Sequence, residues 1–257
     1  MAKSYQNRRQ VLQLSGVALT GGLAGCFGSE SDEDSLSGSA ASDETNTEVE
    51  DDEFEIEAIA GNLSDTPIPD NPGEYEYATV GTGNAPVTAT FYAGWKCPFT
   101  QKFVLDTFTD LVEEFVTPED VDIMFRAVAY RDGEPFHGED GPRSTQAGLS
   151  VWQTEPESYW TFFEYLFTNM EPGYGWATLD RLLAIADEAD VEHHDQIREA
   201  IKNGAFDTQV QQTMQQVQEI PISTVPRIVI DGETTSPSAT PSATWQQLKN
   251  AVDREQE

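Results

Sequence analysis

Three stretches in the first half of the chain have the pattern of β-strands. Residues 75–80 (YEYATV) alternate between apolar and polar side chains. Residues 87–93 (VTATFYA) are rich in β-branched and aromatic residues. Residues 121–130 (VDIMFRAVAY) alternate again and predict a third strand. The segment 81–86, which contains Gly and Pro, predicts a turn between the first two strands.

A helical pattern separates the second and third predicted strands. Apolar side chains from Phe103 to Phe115 recur every three or four residues. This spacing predicts a helix that begins near Pro98 and ends before Pro118. A strand–helix–strand unit of this kind places two parallel strands in one sheet.

The second half of the chain is mainly helical. Residues 142–219 have helical periodicity, with apolar stripes that we assign to the core. The stripes lie in 159–167, 179–186 and 206–217. Residues 227–231 predict a fourth strand, and a last helix over 245–252 is expected to be capped by Ser242 or Thr244. The pattern therefore predicts an α/β fold: a small mixed sheet with a helical insertion.

Acidic side chains greatly outnumber basic ones. The chain has 257 residues, with 46 Asp and Glu against 14 Lys and Arg, so its formal net charge is -32. Thirteen of these acids lie in residues 30–57, and the other 33 are spread with 11 basic residues over 58–257. A dispersed excess of this size repels itself unless salt screens it, which favours a protein of a halophile. A surface for a basic partner is the alternative, and the same charge argues against nucleic acid binding.

The first 25 residues have the features of an export signal. Residues 7–12 (NRRQVL) form a twin-arginine pattern. The apolar stretch 11–24 has 14 residues, fewer than the ~20 of a membrane-spanning helix. Residues 23–26 (LAGC) resemble a bacterial lipobox, which implies cleavage before Cys26 and lipidation of its thiol. We expect export by the twin-arginine route and a lipid anchor at the outer face of the cell membrane; an uncleaved anchor is the alternative.

The chain is thus expected to have three parts. Residues 1–25 are the signal peptide with its lipobox. Residues 26–57 are an acidic disordered linker, because Ser, Gly, Asp and Glu dominate there. Residues 58–257 form the folded domain, with the helical insertion at about 142–219.

Cys97 is the candidate reactive group. The chain has two cysteines, too few for a disulfide-stapled scaffold, and the other is the lipobox Cys26. Pro98 suits the first turn of a helix, so Cys97 is expected at or near its N-cap. The free backbone N–H groups, the helix dipole and the neighbouring Lys96 all favour the thiolate, which attacks disulfides and peroxides. A buried, inert cysteine is the alternative.

Three segments resemble the DsbA branch of the thioredoxin superfamily. Residues 91–100 (FYAGWKCPFT) are similar to its active-site segment, in which Cys-Pro-x-Cys follows a strand and opens a helix. Residues 159–167 (YWTFFEYLF) resemble its aromatic helix. Residues 222–232 (ISTVPRIVIDG) resemble the stretch whose cis-proline faces the active cysteine. The segments stand in the family's order, and the resemblance covers about 75–255.

This resemblance implies a thioredoxin fold with an all-helical insertion between the third and fourth strands. It implies that Cys97 reacts with thiols or disulfides and that Pro226 is the cis-proline beside it. Trp95, Phe99 and Val225 are then expected to contact a bound partner, with simple packing as the alternative for Trp95. No cofactor or metal is expected.

Two positions depart from the family's dithiol pattern. Thr100 stands where the second cysteine of the motif would be, so one thiol cannot form an internal disulfide. Its hydroxyl is expected either to donate a hydrogen bond to the Cys97 sulfur or to fill the first helical turn. Phe91 stands six places before Cys97, where many dithiol relatives have a buried carboxylate. Both losses remove parts that serve a dithiol cycle.

The histidines and Arg227 are weaker candidates for functional residues. His193 and His194 are adjacent on a predicted helix and point apart, so we expect them to face solvent. His137 lies in a loop that is expected to border the site or to be a generic loop residue. Arg227 follows Pro226 and either contacts a partner or pairs with a local carboxylate.

Two functions fit these residues. The first is a membrane-tethered protein whose Cys97 forms mixed disulfides with an extracytoplasmic protein or a small thiol or disulfide, as a reductase or isomerase. The second is a redox-inactive, chaperone-like binding module of the same fold. A substrate-binding lipoprotein of a transporter is a weaker third function, because such a protein has two lobes and the sequence predicts no second lobe. The sequence predicts no oligomeric state.

Overall fold

A five-stranded sheet organises the part of the chain that the structure describes. The structure is a computed structural model that describes residues 55–220 and 222–257. The twin-arginine segment, Cys26 and the predicted linker up to residue 54 lie outside the described residues.

The sheet has the strand order β1-β3-β2-β6-β7. In chain order the strands are β1 (Thr79–Val80), β2 (Val87–Ala93), β3 (Val121–Ala127), β4 (Tyr130–Arg131), β5 (Glu134–Pro135), β6 (Arg227–Ile230) and β7 (Glu233–Thr235). Strands β4 and β5 pair only with each other, as a separate hairpin. The central pair β2–β3 is parallel and the other pairs are antiparallel, so the predicted strand–helix–strand unit is confirmed.

The helix after β2 begins at Pro98 and continues to Val116. It comprises α1 (Pro98–Phe103), a π-helical turn over Val104–Phe108, α2 (Thr109–Leu111) and a second π-helical turn over Val112–Val116. Five helices then separate the hairpin from β6. They are α3 (Asp140–Thr154), α4 (Tyr159–Asn169), α5 (Leu179–Glu188), α6 (His194–Asn203) and α7 (Asp207–Glu219). Helix α8 (Pro241–Glu255) closes the chain.

One face of the sheet buries an aromatic core. Phe91 of β2 lies opposite Phe125 of β3, and their ring centroids are 5.5 Å apart. Phe91 also packs against Phe103 and Phe108 of the first helix, while Phe125 packs against Phe163 of α4. The alternating pattern of the strands thus directs large rings toward both the first helix and the insertion.

A hydrogen-bond network fixes α7 on the opposite face. Arg126 of β3 is buried, and its guanidinium donates to Tyr77 Oη at 2.7 Å and Gln216 Oε1 at 2.6 Å. It also donates to Thr213 Oγ1 at 3.2 Å, and Tyr92 Oη donates to Gln216 Oε1 at 2.7 Å. These bonds satisfy polar groups that would be costly to bury without partners.

The segment before the sheet is held on α4 by a buried carboxylate. Glu164 accepts backbone N–H groups of Gly61, Asn62 and Leu63 at 3.0, 3.3 and 2.9 Å. Bonds from backbone N–H groups to a charged acceptor are among the stronger ones in proteins. Within the described residues, no helix has both the length and the apolar character that crossing a bilayer requires.

Several predicted boundaries were wrong. The first strand begins only at Thr79, since the carbonyl of Tyr75 accepts the indole N–H of Trp152 at 2.8 Å instead of extending the sheet. The third strand ends at Ala127, and the chain then forms the unpredicted hairpin β4–β5. Strand β7 was not predicted, and it follows the turn at Asp231 and Gly232, which both have positive φ.

The last helix also begins earlier than predicted. Its N-cap is Thr240, with Pro241 at the first helical position, rather than Ser242 or Thr244. Proline favours this position because its missing N–H is not needed there. Thr244 is fully buried inside the helix, where its hydroxyl donates to Thr235 Oγ1 at 2.9 Å.

Candidate active site

Cys97 is the N-cap residue of α1. Its backbone is extended, with φ -86° and ψ 119°, and Pro98 occupies the first helical position. The backbone N–H of Cys97 donates to Gly94 O at 3.1 Å, while its carbonyl accepts the N–H of Gln101 at 2.9 Å. The predicted helix start is therefore confirmed, and the Cys97 side chain makes no capping hydrogen bond to a helix N–H.

The Val225–Pro226 peptide bond is cis, as predicted. Strand β6 pairs with β2 through Tyr92 and Arg227, which brings this segment beside the helix start. The Cys97 thiol donates a hydrogen bond to the carbonyl oxygen of Val225, at an Sγ to O distance of 3.6 Å. Residues that are 128 positions apart thus meet at the sulfur.

A groove of about 800 Å³ lies beside the segment that ends at Val225. Its walls are the segment 128–136 with the hairpin β4–β5, one side of α7, and residues 222–225. Its floor continues into the apolar cluster that contains Cys97, together with Val128, Val217, Ile222 and Val225. Pockets of this volume are typical of ligand sites. Cys97 is 4% exposed and lies behind the lining, in contact with the cluster that includes Val225.

A sequence model of the thioredoxin family matches residues 75–254, which is most of the chain. The chain belongs to the thioredoxin family. The matched residues include Cys97 at its helix start and the cis Pro226 opposite it.

Proteins named for disulfide bond formation, and solved structures of BdbD and DsbA, are similar to this chain. Disulfide bond formation protein D from Bacillus subtilis is 25% identical over 177 residues, covering 68% of this chain and 75% of the relative. The crystal structure of oxidised BdbD from B. subtilis has a TM-score of 0.62 at 23% identity, covering 73% of this chain and 97% of that one. DsbA from Chlamydia trachomatis has a TM-score of 0.56 at 18% identity, covering 69% and 90%. The fold is therefore the thioredoxin fold of the DsbA-like branch.

Of the two roles predicted for Thr100, the structure shows filling of the first helical turn rather than a hydrogen bond to the sulfur. Its side chain is 0% exposed, and its hydroxyl oxygen accepts the backbone N–H of Gly94 at 3.5 Å. Among the described residues, no hydrogen bond joins Thr100 Oγ1 to Cys97 Sγ. The hydroxyl thus stabilises the loop that precedes the cysteine. Phe91, the other departure from the family's dithiol pattern, is buried in the aromatic core.

Trp95 packs in the core rather than in a peptide groove. It is 2% exposed, and its ring stacks on Phe167 of α4 with centroids 5.4 Å apart. Gly148 of α3 is required beside it, because a Cβ there would lie 2.6 Å from Trp95 Cζ2. The substrate-binding role assigned to Trp95 is therefore corrected: this side chain anchors the active-site loop to the helical insertion.

Lys96 is also buried, and its ammonium group has partners in the segment that follows α4. The Nζ atom donates to the carbonyl of Glu171 and lies 4.8 Å from the centroid of the Trp176 ring. Burial lowers the pKa of Lys96 below its ordinary value, and the nearby Asp140 acts in the opposite direction. The structure thus gives Lys96 a packing role, and its predicted electrostatic effect on Cys97 stays a prediction.

Phe99 and Val225, the other predicted contacts, differ in exposure: Phe99 is exposed, and Val225 is buried. Phe99 is 67% exposed beside Cys97, and its carbonyl accepts the Ser238 hydroxyl at 2.7 Å. Val225 lines the groove. Their contact with a partner stays a prediction. Arg227 donates to the carbonyl of Pro226 and to the Thr224 hydroxyl, so it stabilises the cis-proline segment itself.

The loop that carries His137 borders the site. A Cβ at Gly94 would lie 3.0 Å from Phe136 Cε1 and 3.4 Å from Cys97 Cβ, so Phe136 packs close to the cysteine. Burial lowers the pKa of His137, and the positive charges of Lys96 and Arg131 lower it further. His193 is exposed, but it lies before α6 rather than within it, and its Nδ1 is 2.7 Å from Glu155 Oε1. Among the described residues, no cluster of three or more His, Cys, Asp or Glu side chains could hold a metal ion.

Proposed function

We propose that the chain catalyses thiol–disulfide exchange through Cys97 alone. The observation that carries the proposal is the position of the sulfur: Cys97 is the N-cap residue of a helix, and its buried sulfur lies 3.6 Å from the carbonyl of Val225, which precedes a cis-proline and lines a large groove. The names of the relatives, which are disulfide bond formation proteins, support the same chemistry. Fold alone would not support it, because one fold hosts many functions.

The single thiol defines the reaction sequence. The Cys97 thiolate attacks one sulfur of a client disulfide, a new S–S bond forms, and the other client sulfur leaves as a thiolate that takes a proton. A thiol outside the chain must then attack the mixed disulfide and release Cys97. When that thiol belongs to the client, the disulfide is isomerised without net redox change. When it is a small thiol such as glutathione, two equivalents are needed: the first attacks the Cys97 sulfur and releases the client as a dithiol, and the second attacks the Cys97–glutathione disulfide, which releases Cys97 and forms glutathione disulfide.

The client is proposed to bind as an extended chain beside Pro226. Ser223 and Thr224 are exposed residues of the segment that lines the groove next to Cys97. An extended polypeptide placed along such a segment gains main-chain hydrogen bonds, and its side chains reach neighbouring pockets. Phe99 and Val225 are the side chains proposed to contact the client on either side of the sulfur.

The proposed clients are extracytoplasmic proteins, and the proposed location is the outer face of the cell membrane. The twin-arginine pattern at residues 7–12, the lipobox-like residues 23–26 and the acidic stretch that follows support export and a tether through lipid on Cys26. The excess of acidic residues supports function in high salt. Replacement of Cys26 by Ser should release the protein from membranes; retention there would contradict the lipid anchor.

A redox-inactive binding module is the second candidate function. The specific observation in its favour is that Thr100 and Phe91 occupy the places that a dithiol cycle would use, while the groove is intact. Such a module would hold an unfolded segment without covalent exchange.

An isomerase assay separates the two candidates. A client with scrambled disulfides is refolded with glutathione and the protein, in a Cys26→Ser background so that Cys97 is its only thiol. Exchange by Cys97 predicts faster recovery of the native client and loss of that effect in the Cys97→Ser variant. Equal recovery with both forms would support the binding module and contradict the enzyme.

A further inference from the structure

The sulfur that carries the proposed exchange is covered. Cys97 is 4% exposed, and its thiol donates to the carbonyl of Val225. Among the described residues, those that line the groove do not include Cys97. Thiol–disulfide exchange requires direct contact between the two sulfurs. A side chain that lies between the groove and Cys97 must therefore move before an occupant of the groove can react.

Phe136 is the aromatic side chain that lies between the groove and the cysteine. It lines the groove, and it packs on the apolar cluster that contains Cys97. A Cβ built on Gly94 would lie 3.0 Å from Phe136 Cε1 and 3.4 Å from Cys97 Cβ, so the ring and the cysteine flank one small space. Because Gly94 has no side chain, this space is left to the ring.

The other side chains that line the groove and pack on the same cluster are held by larger elements. They are Val128, Met214, Val217, Ile222 and Val225. Backbone hydrogen bonds of 2.7 and 3.1 Å hold Val128 to the end of β2 and Ile222 to the end of α7. Arg126 fixes α7 on the sheet, and Arg227 fixes the cis-proline segment that contains Val225.

The segment that carries Phe136 is held less firmly. Strands β4 and β5 have two residues each and, within the described residues, pair only with each other. Their turn, Asp132-Gly133, has positive φ at both residues, as in a two-residue hairpin loop. Directly after Phe136, His137 and Gly138 also have positive φ, at 61° and 69°. An isolated hairpin is marginally stable by itself, so this segment can open locally while the central sheet stays folded.

We propose that Phe136 is a gate between the groove and the Cys97 sulfur. In the closed state its ring covers the cysteine, whose thiol stays hydrogen-bonded to the Val225 carbonyl. Movement of the hairpin segment takes the ring off the cysteine, and the sulfur then meets an occupant of the groove. Phe136 thus sets how large a reagent or client segment reaches Cys97. The inference rests on the proposed function, because it names the side chain that controls access to the same thiol.

Alkylation of Cys97 by two reagents of different size tests the gate separately from disulfide exchange. The full chain with Cys26→Ser is treated in high salt with iodoacetamide, which is small, and with fluorescein maleimide, which is bulky. Each rate is divided by the rate of the same chain unfolded in denaturant, which removes the intrinsic difference between the reagents. The gate predicts stronger protection of Cys97 from the bulky reagent. Reaction through global unfolding would give equal protection from both, because both would follow the population of unfolded chain.

Phe136→Ala is the test variant, and Tyr130→Ala is its matched control. Both rings are partly buried in the hairpin segment, but Tyr130 is not among the described residues that pack on the Cys97 cluster. Phe136→Ala should raise the relative rate of the bulky reagent about tenfold, and Tyr130→Ala less than about twofold, because the rate follows the population of the open form. A tenfold change corresponds to about 1.4 kcal/mol, which partial burial of a phenylalanine ring supplies. Phe136→Leu should restore most of the protection.

Gly94→Ala perturbs the same contact from the other side. The backbone of Gly94 is outside the left-handed region, so alanine can adopt it, but the added Cβ would lie 3.0 Å from the ring. This substitution should displace the ring and raise the relative rate of the bulky reagent. In the Phe136→Ala background it should add little, because the two changes act on one contact. Circular dichroism and denaturant unfolding check that each variant folds.

Two results would overturn the gate. One is equal protection from the small and the bulky reagent in the parent chain, and the other is an equal effect of Phe136→Ala and Tyr130→Ala. Exchange with a model disulfide peptide is measured separately on the same chains. Mixed-disulfide formation at one rate with and without the Phe136 ring refutes the gate and leaves the proposed function standing. Alkylation that depends on Phe136 in a chain that forms no mixed disulfide supports the gate and refutes the exchange.

Discussion

Thr100→Cys should restore the dithiol motif and form an internal disulfide with Cys97. Cys97 is the N-cap of α1 and residue 100 is the third residue of the helix. With a rise of about 1.5 Å per residue and a Cα radius of about 2.3 Å, positions three apart in a helix have Cα atoms about 5 Å apart. A disulfide needs a Cα separation of about 4.4–6.8 Å, so the bridge fits without movement of the backbone.

The reduced form of this variant should be slightly less stable than the parent. The substitution removes the acceptor of the Gly94 N–H, a hydrogen bond of 3.5 Å. A bond of that length belongs at the lower end of the usual contribution, so we expect a loss of about 0.5–1 kcal/mol in the free energy of unfolding. Denaturant unfolding under reducing conditions measures this difference.

Intact mass and thiol counting report the bridge. In a Cys26→Ser background, mild oxidation should lower the mass of the folded variant by about 2 Da and remove both free thiols. Thr107→Cys is the control: residue 107 is ten positions after Cys97, about 15 Å along a helix axis and too far to bridge. A Thr100→Cys variant that keeps two free thiols while folded would refute the helix-start geometry on which the site is built.

Three further substitutions test packing and electrostatics around the site. Trp95→Ala should lower the free energy of unfolding by about 3–5 kcal/mol, because the ring is 2% exposed. The protein that remains folded should bind a client peptide with unchanged affinity. Reduced affinity without lost stability would show that Trp95 contacts the client. Glu164→Gln removes the negative charge of the carboxylate that accepts hydrogen bonds from the backbone of residues 61–63. The free energy of unfolding, measured with denaturant, should fall by about 1.5–3 kcal/mol. Unchanged stability would contradict this role of Glu164. Burial and the Lys96 charge lower the pKa of His137 below its ordinary value of 6.5. As the pH falls below 6.5, the unfolded chain therefore binds more protons than the folded chain, and the free energy of unfolding decreases. His137→Gln should reduce this pH dependence in unfolding curves at pH 5 and 7, and an unaltered slope would exclude the histidine as its source.

The parts of the site that depend on local chemistry were predictable from the sequence. The β-branched and aromatic run at residues 87–93 has the bounds predicted for β2, since such side chains fit a half-buried sheet. Cys97-Pro98 predicted the helix start because proline costs nothing in the first turn. The cis bond before Pro226 followed from the family resemblance.

The parts that depend on distant contacts were not predictable. The role of Trp95 is decided by Phe167, a residue of the insertion that no local pattern connects to it. The first strand is short because Trp152 donates to Tyr75, and the hydroxyl of Thr100 turns to Gly94 rather than to the sulfur.

Covalent capture by Cys97 is the most direct test of the central claim. The chain with Cys26→Ser is incubated, folded and in high salt, with an excess of a model disulfide peptide, and its intact mass is then measured. Thiol–disulfide exchange predicts an adduct of one peptide half on Cys97, reversed by added glutathione and absent from Cys97→Ser. A folded chain that forms no adduct, while the same chain reacts once denatured, would contradict the account and leave Cys97 a structural residue.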